Sequence, residues 1–197
     1  MINFAFAVFF LIITPGPGVL STAGIGAAFG WRTGLKYIFG LFLGTNLVAI
    51  AVITGLSVWV ISNPVLRLSL LSLSSIYLLF LAFKIATAGK EMTFSSPNSK
   101  PGVLAGFLLQ PINPKAYVVN TILFSGFVLF PDKIHLEIFL KLLILNTIWI
   151  IIHVFWLFLG LSLNKLNLGP KATHRINFTL ALFLVFVVVL AVVSAIK

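Results

Sequence analysis

Two short polar clusters interrupt long apolar stretches of the sequence, and they hold the residue types best suited to binding chemistry. The clusters consist of Thr14, Pro15, Gly16 and Pro17 in one stretch and of Asn113, Pro114 and Lys115 in another. Proline removes a backbone donor and disturbs the preceding helical turn, so both clusters free main-chain polar groups. Broken backbone within an apolar, membrane-embedded segment usually lines a cavity. Both clusters are therefore candidate substrate-binding sites.

The order of residues in each cluster is typical of a helix start. Asn is a favoured N-cap and Pro fits the first helical position, so a half-helix is predicted to begin at Pro114. Pro17, following Gly16, predicts an equivalent start in the first cluster, with Thr14 as an additional cap. Free amide donors and the positive dipole end suit a carboxylate. Two helix N-termini are thus expected to face one anion site.

Lys115 adds a cation beside the second predicted helix start. A lysine at the centre of a membrane costs about 3 kcal/mol or more unless it faces a polar cavity or a partner. It is therefore a candidate for binding substrate. The alternative is that the Lys115 side chain extends to the membrane interface. The predicted distance of Lys115 from that interface is large for such a reach.

Further polar side chains lie within apolar stretches and are candidates for the same cavity. They are Thr45, Asn46, Asn120, Thr121, Asn146 and His153. Asn46 and Asn146 are included among the predicted substrate-binding residues. His153 is the candidate for proton coupling, because histidine titrates near neutral pH. Hydrogen bonding between helices explains each of these residues equally well.

The composition indicates an integral membrane protein. The chain has 197 residues, is 60% hydrophobic and 8% charged, and has a mean hydropathy of +1.19. Uncharged stretches of about 20 residues or more, such as 38–66, have the length of a membrane-spanning helix. The net charge of +10 lies mostly in short connections, where it fits a lipid bilayer with anionic headgroups. Nucleic acid is not an expected partner.

The scarcity of reactive side chains argues against an enzyme. The sequence has no cysteine, three histidines and three acidic residues. It offers no paired-carboxylate, metal-ligand or nucleophile–base motif. No cofactor and no metal site are expected.

Charged and turn-forming segments divide the chain into six predicted spans. They are about 2–29, 37–61, 66–88, 102–130, 137–163 and 173–196. A Ser- and Pro-containing loop at about 89–101 separates repeat one, about 1–88, from repeat two, about 102–197. Each proline cluster lies in the first span of its half, and FLIITPGP at 10–17 aligns with FLLQPINP at 107–114.

Three spans per repeat is an odd number, so the second repeat would enter the membrane in the opposite direction. The prediction is an all-α integral membrane protein with a single transmembrane domain, 1–197. Its six transmembrane helices form two inverted three-helix repeats, and proline breaks the first helix of each. The alternative is two kinked helices that resemble each other by chance.

Basic residues in the short loops predict the orientation. The loops after spans one, three and five hold eight Lys and Arg residues, and the opposite side holds four. The excess of positive charge on cytoplasmic loops then puts the N- and C-termini outside the cytoplasm.

Small-xxx-small spacings predict close approach of helices. They are Gly30 and Gly34, Gly40 and Gly44, and Gly102 and Gly106. Packing within one subunit accounts for them, and a homodimer is the alternative.

The motifs together resemble the LysE/RhtB family of bacterial amino-acid exporters, the lysine exporter family. The residues that carry the resemblance are Pro15-Gly16-Pro17, the turn Gly30-Trp31-Arg32-Thr33-Gly34, the glycines Gly40 and Gly44, and Asn113-Pro114-Lys115. Motif spacing, length and six apolar spans also match, over nearly the whole chain. The resemblance implies secondary active export of an amino acid or close derivative across the bacterial inner membrane. Transport would alternate access around a midplane site at the two proline breaks.

The chain departs from the family in its second span. Many members have an acidic residue where this chain has Thr45 and Asn46, and Glu137 is predicted to lie in a loop. Backbone carbonyls, with Asn46 or Asn146, would then have to receive a substrate ammonium group. An ion exporter or channel of a related family, or a non-transporting membrane accessory protein, are the alternative functions.

Overall fold

A computed structural model describes residues 1–55, 63–87, 100–165 and 170–196, with the side chains at 67, 163–165, 170, 173, 190–191 and 194–196 left aside. Within these ranges the chain is helical and has no strand. The helices are α1 (Ile2–Ile13), α2 (Pro17–Ile53), α3 (Pro64–Ala86), α4 (Val103–Ile112), α5 (Pro114–Ser125), α6 (Ile134–Lys165) and α7 (Pro170–Ile196). The all-α prediction is confirmed for the described residues. The predicted end of span two at 61 and the loop at about 89–99 lie outside them.

Several of these helices have the length and composition of membrane spans. Among the described residues, three helices qualify: Pro17–Ile53, Pro64–Ala86 and Ile134–Ser162. Shorter apolar helices cover Ile2–Ile13, Val103–Ile112 and His174–Val189. Large apolar side chains on the outer faces, such as Phe10 and Phe186, are more than half exposed, as expected where lipid is the solvent.

α2 is interrupted at Gly30, whose φ of 79° and ψ of −179° are not helical. Glycine adopts this positive φ without the steric cost that a Cβ would bring. Tyr37 Oη donates to Ser21 Oγ at 3.0 Å. Sixteen residues of continuous helix would separate these residues by about 24 Å. The chain therefore folds back at Gly30, and α2 consists of a first arm, 17–29, and a second arm, 31–53.

The second arm of α2 packs closely on α4 through glycines. A Cβ added at Gly40 would overlap with Val103 O, and one added at Gly44 would crowd Phe107 O. The contacts advance together along both helices, so the second arm and α4 run in the same direction. Close approach at Gly40 and Gly44 is confirmed within this one chain. An added Cβ at Gly102, by contrast, would meet nothing within 4 Å.

α6 runs in the same direction as α1 and the first arm of α2. The contacts that fix this direction pair Phe4 with Lys141, Gly18 with His153, and Gly26 with Leu157. α3 packs against α7, where Leu81, Ile85 and Leu184 belong to the buried core. At the breaks, Gly16, Pro17 and Asn113 are buried, whereas Thr14 and Pro15 are exposed.

Candidate functional site

The first break separates α1 from α2 by three residues. Gly16 is the N-cap of α2 and is extended, with φ −166° and ψ −179°, and Pro17 occupies the first helical position. The predicted helix start at Pro17 is therefore confirmed. The prediction that Thr14 caps this helix is wrong, because its hydroxyl donates backwards to Phe10 O at 2.6 Å and no side chain caps α2. The first amides of α2 are left without a capping side chain.

The second break, at Asn113, is capped. α5 begins at Pro114 as predicted, and Asn113 Oδ1 accepts a hydrogen bond from Lys115 N at 3.1 Å. Ala116 N donates to Asn113 O at 3.0 Å. Because its first donors already have partners, the start of α5 differs from the uncapped start of α2.

Lys115 connects the two breaks. Its Nζ donates to Thr14 O at 2.8 Å, across 101 residues of sequence. A Cβ added at Gly16 would lie 2.9 Å from the same nitrogen. The ammonium group therefore lies at the carboxyl end of α1, where the helix dipole favours a cation, and directly beside the start of α2.

A cavity of about 60 Å³ lies between the breaks and has room for a few water molecules. Its polar lining consists of Thr14, Thr45, Gln110, Asn113, Lys115, Asn120 and His153. Gly16, Pro17, Gly18 and Val19 contribute the start of α2, and the remaining lining is apolar. None of these lining residues is acidic. Pro15 and Pro114 lie in the breaks but do not line the cavity.

Asn46 and Asn146 bind each other instead of lining the cavity. Each Nδ2 donates to the other residue's Oδ1 at 3.0 Å, and Asn46 Nδ2 also donates to Phe42 O at 2.9 Å. The structure does not bring these two candidates to the other predicted site residues. Asn46 and Asn146 therefore form hydrogen bonds between helices, which is the alternative role given for them above.

His153, on α6, is buried and lies beside the first turn of α2. Its Nδ1 is 2.9 Å from Trp149 O, and its ring stacks on Trp149 with centroids 3.5 Å apart. A carbonyl oxygen can only accept, so Nδ1 carries a proton. Nε2 lies 3.3 Å from the position that a Cβ at Gly18 would take. The second ring nitrogen is thus directed at the first turn of α2.

Two residues of the cavity lining are not among the predicted substrate-binding residues. Asn120 is one of several scattered polar residues in the sequence and Gln110 lies beside the second cluster, yet both are buried in the lining. The sequence holds a signal for the first, since residues 113, 116 and 120 share one face of a helix. Gln110 lies one turn before Asn113 in the same motif.

A second polar cluster lies at the far end of α5. Glu137 was predicted to lie in a loop, but it belongs to the first turn of α6. Its Oε1 pairs with Lys141 Nζ at 2.7 Å, and its Oε2 accepts from Leu129 N at 3.0 Å and Phe130 N at 2.7 Å. Lys141 also donates to Phe124 O at 3.1 Å. This ion pair holds the turn after α5 and gives the cavity no carboxylate.

Apolar helices around a polar cavity at two chain breaks define a helical membrane protein. The family model described as LysE type translocator matches residues 9–195, and the chain belongs to this family. Members of the family are membrane transporters and not enzymes, and the predicted resemblance is confirmed. No curated protein and no solved structure gives a significant match.

Proposed function

We propose that this protein is a secondary active exporter of amino acids or close derivatives across the bacterial inner membrane. The observation that supports it best is an uncapped helix start beside a lysine at a polar cavity. Fixed amide donors and a cation together replace the hydration of a carboxylate. Family membership supports transport, and this geometry supports a carboxylate-bearing solute.

The substrate carboxylate binds at the start of α2. Pro17 has no amide donor and Leu20 N already donates to Gly16 O at 3.1 Å, so the amides of Gly18 and Val19 are the donors left without a helical partner. Both residues line the cavity. The start of α5 serves a different purpose: Asn113 caps it and thereby positions Lys115. This assigns the carboxylate to one helix start, where the sequence had predicted two.

Helix directions support two inverted repeats. The second arm of α2 runs opposite to the first arm, because the chain folds back at Gly30. α4 runs with the second arm, whereas α1 runs with the first arm, since α6 parallels both. The first helix of the second half therefore runs opposite to the first helix of the chain. We propose six spans in one transmembrane domain, 1–197, with α1 and the first arm as span one and α4 and α5 as span four.

Alternating access then follows from movement of one repeat against the other. Lys115 and Thr14 come from different repeats, as do Asn46 and Asn146. These hydrogen bonds therefore hold the repeats together in the present conformation. His153 remains the candidate for proton coupling because its Nε2 faces the substrate site.

The orientation is proposed from loop charge alone, with both termini outside the cytoplasm. A reporter that is active only outside the cytoplasm, fused after Lys197, should be active. An inactive fusion at normal abundance would reverse the assignment.

Gly16→Ala is expected to reduce export about tenfold to a hundredfold, the effect of displacing a binding group by roughly 1 Å. The new methyl group would lie 2.9 Å from Lys115 Nζ and push that group from the start of α2. Since it crowds only the end of a flexible side chain, the melting temperature in detergent should stay unchanged. Export and melting are measured together, with Gly102→Ala as the control in open space. Unchanged export would contradict the assigned position of the ammonium group.

The proposed function is tested by loading cells with a panel of dipeptides, with and without the protein, and measuring the amino acids that appear outside. Faster appearance of particular amino acids is expected when the protein is present. Equal efflux across the panel would reject amino-acid export and favour an ion exporter, a channel or an accessory protein.

A further inference from the structure

Asn120, which lines the cavity, carries a buried hydrogen-bond acceptor that lacks a donor. Asn120 is 3% exposed, and its Nδ2 donates to Ala116 O at 2.8 Å. That carbonyl fixes the orientation of the amide, which leaves Oδ1 as the second polar atom. Oδ1 is buried and has no hydrogen-bond partner. A buried acceptor without a partner costs about 1–3 kcal/mol, so a donor arriving with a ligand would relieve that cost.

His153 provides a second acceptor in the same cavity. Its Nδ1 proton is directed to Trp149 O, so Nε2 of the neutral ring carries a lone pair. This atom faces Gly18, whose amide belongs to the proposed carboxylate site. The start of α2, Asn120 and His153 all line this one cavity of about 60 Å³.

We infer that Asn120 Oδ1 and His153 Nε2 receive the ammonium group of a zwitterionic substrate whose carboxylate lies at the start of α2. This inference rests on the proposed function and specifies its substrate class. Lys115 is the one ordinarily charged side chain in the described lining, and no carboxylate balances a second positive charge. Leu11, Val119 and Leu145 supply apolar lining for the substrate side chain. The substrates are therefore neutral amino acids with short apolar side chains, and basic amino acids are excluded.

The test uses the full-length protein in proteoliposomes, with alanine, lysine and propionate as probes. Alanine efflux should exceed lysine efflux, and propionate should inhibit by occupying the carboxylate site alone. Asn120→Leu should lower alanine efflux about tenfold or more, because the ammonium group loses a buried acceptor. The propionate concentration that halves the remaining alanine efflux of Asn120→Leu should equal the concentration that halves the efflux of the wild type.

Two further variants separate binding from folding. Asn120→Asp keeps an acceptor and adds the missing negative charge, so it should retain alanine efflux and raise lysine efflux relative to alanine. Thr121→Val is the matched control: its hydroxyl is also buried without a partner on α5, but it lies outside the cavity lining. This variant should behave as the wild type.

Equal alanine efflux in Asn120→Leu and Thr121→Val would overturn the role of Asn120. Equal efflux of alanine and lysine by the wild type would overturn the selectivity. A wild type that neither transports alanine nor responds to propionate would overturn the proposed function together with this inference. Propionate could inhibit the wild type and Asn120→Leu equally while Asn120→Leu still transports alanine at the wild-type rate. That result would overturn this inference and leave the proposed function standing.

Discussion

Replacing Lys115 by methionine should reduce export about 30-fold or more. Loss of a hydrogen bond made by a charged group costs about 2 kcal/mol, and each 1.4 kcal/mol corresponds to a factor of ten. The ammonium group lies beside the start of α2 and 2.8 Å from Thr14 O, so no other side chain in the described lining can replace its charge. Methionine keeps the length of the side chain and is apolar, so the fold should persist.

Export by Lys115→Met is measured at equal membrane abundance. Lys36→Met is the matched control, since Lys36 is exposed and lies outside the cavity. Lys115→Arg keeps the charge with a different shape and should retain part of the activity. Wild-type export by Lys115→Met would contradict the proposed binding site.

Replacing Lys141 by methionine should lower the melting temperature by roughly 10 °C. Removing one partner of a buried ion pair leaves the other charge uncompensated, and a chain of this size loses a few degrees for each kcal/mol. Lys141 is buried, pairs with Glu137 at 2.7 Å and binds carbonyl oxygens at the end of α5. The cluster lies outside the cavity, so export per folded molecule should change little.

Thermal unfolding in detergent measures this effect. Lys133→Met is the control, because Lys133 is exposed and lies in the adjoining turn. The double variant Glu137→Gln with Lys141→Met should melt at a higher temperature than Lys141→Met alone, since it leaves no unpaired charge and keeps an acceptor for Leu129 N and Phe130 N. A single variant that melts like the wild type would show that the pair does not stabilise the fold.

Local chemistry made the two helix starts predictable. Proline at a first helical position, preceded by Asn or Gly, indicates a helix start whatever the rest of the chain does. Pro17 and Pro114 accordingly begin α2 and α5. The turn between spans one and two also has a local signal, which is the glycine at position 30. Gly30 adopts a φ of 79° that other residues avoid.

Partners distant in sequence were not predictable. Nothing local indicates that Lys115 meets Thr14 O, because the contact depends on how two halves of the chain pack. Asn46 and Asn146 carry the same ambiguity: an amide in a span satisfies a ligand or another amide equally well, and here they satisfy each other. Side-chain type alone therefore overestimated their role at the cavity.

The helical position of Glu137 has a local signal in the sequence. Glu137 and Lys141 are four residues apart, which is the spacing of an ion pair on one face of a helix. The helix begins three residues before Glu137, at Ile134, and the turn-forming Pro131 and Asp132 end the preceding loop earlier than expected. Helix boundaries are the part of a sequence-based prediction most easily displaced by a few residues.

Competition between an amino acid and its carboxamide tests the central claim most directly, since the two differ only in the group that the start of α2 and Lys115 would bind. In proteoliposomes containing the wild-type protein, alanine should be transported. Alaninamide at the same concentration should be neither transported nor inhibitory. Equal transport of alanine and alaninamide, or equal inhibition by both, would contradict a carboxylate site at Gly18 and Val19.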